Sequence, residues 1–180
     1  MMAVRCKAGF LLWLNGLLGA AIVHAQQVCD TASKPLSSPS ARFAIGSEDG
    51  VVIDGPTQLM WLRCAAGQSW RGDACSGTAT RHSWAAAQAL AAELNRAGTL
   101  FYNDWRLPSL RELATVTERQ CSNPRINLSV FPDTPGAAFW SSTGRLRRDG
   151  DAYVLDFASG AIGDDVKTAE HHVRLVRNAP

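Results

Sequence analysis

Asp104-Trp105-Arg106-Leu107-Pro108-Ser109-Leu110-Arg111-Glu112-Leu113 carries the clearest structural signal in the chain. Ser109 followed three residues later by Glu112 is a capping box, in which the hydroxyl and the carboxylate each accept the other residue's orphan backbone N–H. Pro108 closes the extended piece before it, and Leu110, Leu113, Ala114 and Thr117 recur at helical spacing. The pattern predicts a helix over 109–119. Upstream, Ser83 as N-cap, the stripe Trp84, Ala87, Leu90, Ala91 and Leu94, and Gly98 as a stop predict another over 83–97. On either side the pattern is β. Arg42–Ile45, Val51–Asp54 and Leu59–Arg63 are short apolar runs separated by Ser47-Glu48-Asp49-Gly50 and Gly55-Pro56, which is turn chemistry and predicts a small meander. After Cys121, strand candidates fall at Ala138–Ser141, Ala152–Phe157 and Val173–Arg177. Within the second of these, Tyr153, Leu155 and Phe157 share one face and Val154 and Asp156 the other. Strands, two helices, then strands predict an α+β domain with a twisted antiparallel sheet, because a parallel fold would alternate the two element types.

The chain has 180 residues, 46% hydrophobic and 19% charged, which excludes disordered, collagen-like and multi-span membrane classes. Arg5 and Lys7 precede an apolar run from Ala8 to Val23, and Val23-His24-Ala25 has the small residues a signal peptidase reads. Residues 1–25 are therefore predicted to be a signal peptide, 26–41 an extended Ser/Pro-rich lead-in, and 42–180 the folded domain. The leader takes two of the 18 basic residues and none of the 16 acidic ones, so the remainder is formally neutral. A neutral domain has no global electrostatic reason to bind nucleic acid. No second apolar run approaches a bilayer span, so no integral membrane segment is expected after signal removal. The expected location is exported, either periplasmic or at the cell surface.

Cys29, Cys64, Cys75 and Cys121 remain after the leader, an even number that in an oxidising compartment implies two disulfides with three possible connectivities. Cys64–Cys75 is favoured because the two lie close across a Gly- and Ser-bearing segment, which leaves Cys29–Cys121 to tie down the N-terminus. A zinc site would need a Cys-x2-Cys pair, and the sequence has none.

Leu59-Met60-Trp61, Gly67-Gln68-Ser69-Trp70 within the cysteine loop, Ser83-Trp84, Asp104 to Pro108, Arg111-Glu112-Leu113, Asn123-Pro124, Asn127, Phe131-Pro132, Phe139-Trp140-Ser141-Ser142 and Val173 to Arg177 follow one another in a characteristic order. In that order and spacing the chain resembles the Lcl C-terminal domain family, named for the end domain of a Legionella collagen-like adhesin. The resemblance runs from about Arg42 to Arg177. It implies a C-type-lectin-like α+β fold and, from the adhesin, binding of sulfated polysaccharide and attachment to surfaces. It also supports the two disulfides. This chain has no collagen-like repeat, and it carries Arg145-Leu146-Arg147-Arg148-Asp149-Gly150-Asp151 where late strands of the family are rich in Tyr, Ser and Asn.

Arg145, Arg147 and Arg148 form the one local basic cluster, and guanidinium forks grip sulfate bidentately. They are the expected anion site, although Asp149 and Asp151 follow at once. One of Arg174 and Arg177 is expected to be spent on internal pairing. Trp61, Trp84 and Trp140 are expected in or near the core, with Trp70 the candidate for stacking on a sugar. Asp104 and Arg106 are expected to pair or to bond backbone, and His171 and His172 to form a solvated pair. Asp164-Asp165 offers oxygen ligands for calcium but lacks the alternating acidic run that would complete a shell, so no cofactor or metal is expected. The sequence has no Gly-x-Ser-x-Gly, phosphate loop or His-Glu-x-x-His, so no catalysis is expected. The expectation is an adhesin-like binding module with an anionic polysaccharide or surface glycan as partner. The alternative is an accessory subunit of a pilus or secretion assembly that makes protein contacts.

Overall fold

The computed structural model describes residues 26–45, 50–98 and 102–180. The predicted signal peptide and most of the predicted turn at 47–50 lie outside the described residues. The strands in chain order are β1 (Val28–Cys29), β2 (Phe43–Ile45), β3 (Val51–Asp54), β4 (Leu59–Leu62), β5 (Ser69–Trp70), β6 (Cys75–Ser76) and β7 (Arg81–His82). Helices α1 (Trp84–Ala97) and α2 (Leu110–Thr115) follow. The remaining strands are β8 (Cys121–Ser122), β9 (Ala138–Arg145), β10 (Arg148–Asp156), β11 (Ile162–Val166), β12 (His171–His172) and β13 (Val176–Asn178). The protein is α+β. Its main sheets have the orders β11-β10-β9-β12-β7 and β13-β4-β3-β2, and the pairs β1-β8 and β5-β6 form two ribbons.

Period-two alternation assigns neighbouring apolar residues to two cores. Leu59 and Trp61 of β4, with Val52 of β3, face a core that also holds Leu113, Val116, Phe131, Phe139, Leu155 and Phe157. Met60 and Val51 face the other, with Ala87 and Ala91 of α1, Trp105, Trp140, Val154 and Val173. The meander strands are apolar at nearly every position because both of their faces are covered.

α1 begins at Ser83, whose side chain accepts the Ala86 amide, and ends at Gly98 in the left-handed region at φ 61°. α2 has its capping box in place but stops at Thr115, short of the predicted Arg119. The Thr115 and Thr117 hydroxyls bond back to the carbonyls of Glu112 and Ala114, a local alternative to further helical turns. Val116 then takes the buried place expected of Thr117. The final strand is shorter than Val173–Arg177. Residues 173–175 instead cross from one sheet to the other, with the Val173 and Leu175 carbonyls accepting the Ala66 and Leu62 amides.

The disulfides are Cys29–Cys121 and Cys64–Cys75. The lead-in is more than an extended tether. Cys29 lies opposite Cys121 across β1-β8, Ser40–Arg42 form a 3-10 turn, and Ser38 is fully buried. Glu118 holds this segment through the backbone N–H groups of Ser37 and Ser38, at 3.1 and 2.8 Å. Among the described residues no helix is long and apolar enough to cross a membrane.

Candidate functional site

The basic cluster sits at the tip of the β9-β10 hairpin. Arg145 and Arg148 are register partners, so only Leu146 and Arg147 form the turn, and Arg147 takes a left-handed φ of 65°. Leu146 is 88% exposed, and the Arg148 side chain is 64% exposed. The three arginines are not equivalent. Arg145 is paired with Asp164 of β11 and lies 5.6 Å from the centre of the Tyr153 ring. Arg148 is 3.8 Å from both Asp151 and Asp164. Arg147 makes no ion pair among the described residues and is exposed.

Trp70 is half-buried. The Arg63 guanidinium lies 3.9 Å over its ring, and a side chain at Gly50 would strike its Cβ. Its ring is therefore already stacked, and a sugar would reach it only from the remaining face. Trp61, Trp105 and Trp140 are buried; Trp84 is partly exposed and sends its indole N–H to the Ser141 carbonyl at 2.9 Å.

Several expected pairings are redrawn. Asp104 and Arg106 do not pair with each other, but Arg106 does bond backbone, at the Leu107 carbonyl (3.3 Å); it also forks onto Glu112 at 2.8 and 2.7 Å, and Asp104 accepts from Arg177. These bonds hold the Glu112 and Asp104 carboxyls below the ordinary carboxylate range. Both closing arginines are internal, where one was expected. Arg177 stacks 3.8 Å from the Tyr102 ring. Arg174 is 1% exposed and bonds the carbonyls of Leu62 and Arg63 and the Thr134 hydroxyl. Neither histidine of the adjacent pair is simply solvated. His172 is buried, with Nδ1 at 3.1 Å from the Thr80 carbonyl, and burial pushes its pKa down. His171 lies 2.9 Å from Asp165 and edge-on to Trp140.

Asp164 and Asp165 are successive residues of β11, so they point to opposite faces, one to the arginines and one to His171. That placement does not converge oxygens on a cation. Among the described residues no group of three or more His, Cys, Asp or Glu side chains could hold a metal ion.

A cleft with no signature in the sequence opens elsewhere. It encloses about 800 Å³ between the end of the Cys64–Cys75 loop, with the segment running on to Arg81, and the stretches around Asn123-Pro124 and Asp133 to Gly136. His172 and Leu128 also line it. The two walls are linked by Asp133, which accepts the Cys75 amide at 3.0 Å, and by Gln68, which donates to the Asp133 carbonyl.

Compared with protein-family models, residues 50–177 match the Lcl C-terminal domain. The chain belongs to this family. The Lcl C-terminal domain is associated with a bacterial adhesin-like protein. No curated protein matches the chain in sequence. In this Lcl domain the residues that carry the resemblance are largely architectural. Trp61, Trp105, Phe139 and Trp140 are core, Glu112 clamps Arg106 to the α2 cap, and Asn127 fastens the lead-in by donating to the Ser38 carbonyl at 2.9 Å. The hairpin arginines stand outside that set.

Proposed function

We propose that this Lcl domain is an exported, non-catalytic, adhesin-like binding module for anionic polysaccharide, built on a C-type-lectin-like arrangement, with the β9-β10 hairpin tip as its contact. The observation that supports this best is the disposition of the guanidinium groups. Arg42, Arg106 and Arg177 are paired with carboxylates, and Arg63 and Arg174 bond carbonyls. Arg147 and Arg148 stand adjacent at a projecting turn beside exposed Leu146. Arginine forks at such a place suit sulfate or carboxylate groups repeated along a chain. Two disulfides fit an oxidising compartment. A glycan array tests the reading: saturable binding confined to sulfated or uronic-acid polymers is expected, and silence across the array would remove it.

A second reading, an accessory subunit making protein contacts, is favoured by the free edge of β11, where Ile162 and Val166 are each more than half exposed. Silence on the array would move weight to it.

A further inference from the structure

The cleft lies apart from the hairpin residues, and its chemistry differs from theirs. We propose that it binds an extended peptide bearing a carboxylate, with the peptide backbone along Gly77 to Ala79 and the carboxylate at Arg81. This goes beyond the glycan reading and does not depend on it.

The volume of about 800 Å³ lies within the range of small-ligand sites. The lining holds no Trp, Tyr or Phe, so it lacks the flat aromatic platform on which a sugar ring stacks; its apolar surface comes from Ala79, Pro124, Leu128 and Pro135. One wall offers main-chain partners. The backbone N–H groups of Gly77, Thr78 and Ala79 donate to no protein acceptor among the described residues; β6 ends at Ser76, and Gly77 turns the chain at a positive φ of 98°. Successive N–H groups of extended backbone point to opposite sides, so a peptide strand added there would take up alternate donors of this run, as in β-augmentation. His172 contributes an acceptor. Its Nδ1 faces the Thr80 carbonyl, which requires the proton on that nitrogen and leaves Nε2 with a lone pair and no protein partner among the described residues.

The charge balance selects an acidic peptide. Arg81 is exposed and makes no ion pair among the described residues. Behind the wall, Arg174 is buried without a carboxylate partner among the described residues and bonds Thr134, a lining residue, at 2.7 Å. The one carboxylate in the lining, Asp133, already accepts the Cys75 amide. Two cations against one engaged anion leave the cleft positive, and low-dielectric walls focus that field on a bound carboxylate.

The test uses the disulfide-intact protein and a fluorescent array of random heptapeptides with free C-termini, each also made as its C-terminal amide. Acidic peptides should be enriched among binders. Ala79→Trp, which fills the cleft, should abolish their binding, and Arg81→Gln should weaken it about fivefold. Loss on amidation would assign the carboxylate to the peptide terminus, and retention would assign it to an Asp or Glu side chain; both support the proposal. Arg147→Ala with Arg148→Ala should leave peptide affinity unchanged, which separates this site from the hairpin. The proposal is overturned by an array with no acidic preference, by unchanged affinity in Arg81→Gln, or by binding that survives in a folded Ala79→Trp protein.

Discussion

Arginine identity is decided by position in this chain, and Arg174 is the sharpest case. Burial alone pushes its pKa down to about 9, yet the carbonyls of Leu62 and Arg63, the Thr134 hydroxyl and the Phe131 ring at 4.8 Å keep the cation solvated by protein. A planar fork reaches the carbonyls and the hydroxyl at once, whereas a lysine ammonium is a single point. Arg174→Lys should therefore cost about 2–4 kcal/mol in denaturant unfolding through buried groups left without partners. An unchanged midpoint would show that the fork is not what holds the inter-sheet crossing together. The sequence shows arginines but not their burial. Arg174 and Arg177 look alike in the chain, and only the packing of Val173 to Val176 across two sheets shows that both are internal.

Among the elements, the lead-in depends on one carboxylate. Burial opposes ionisation of Glu118, but the amides of Gln120, Ser37 and Ser38 and the Ser37 hydroxyl outweigh it and hold the carboxyl below its usual range. A depressed folded pKa contributes stability that is present above the ordinary carboxylate pKa and is lost as pH falls through the folded value. Hydrogen exchange at the Ser37 and Ser38 amides should accelerate as pH falls below about 4, after correction for intrinsic rates. Glu118→Gln should remove that acid-dependent component and cost about 1–3 kcal/mol. Acid-induced opening that persists in the variant would place the switch elsewhere. Both helices and the meander were legible because caps and alternation are local signals. β11 was not, since Ile162-Gly163-Asp164-Asp165-Val166 alternates weakly and its pairing with β10 is a tertiary choice. The strand pairs β5-β6 and β12-β7 have two residues per strand, too few for any period to show.

For the molecule as a whole, two cores share the meander between them, and two disulfides secure the segments that contribute least to either. On the loop-entropy account, the Cys64–Cys75 bridge contributes about 3 kcal/mol and Cys29–Cys121 about 4.6 kcal/mol. Cys64→Ala with Cys75→Ala should lower stability by about the smaller amount and loosen one wall of the cleft, while leaving the hairpin, which is built from β9 and β10, able to bind polyanions. Loss of both functions together would show that the two sites are coupled. The family motifs made the fold readable and left the cleft unread, because they report core contacts whereas the cleft arises only when distant loops meet. Binding of anionic polysaccharide by the hairpin tip is measured by retention of the folded Arg147→Ala, Arg148→Ala protein on immobilised heparin. Elution at clearly lower salt than the parent is expected, with unfolding unchanged because both side chains are exposed. Elution at the parent's salt concentration would contradict binding at this tip.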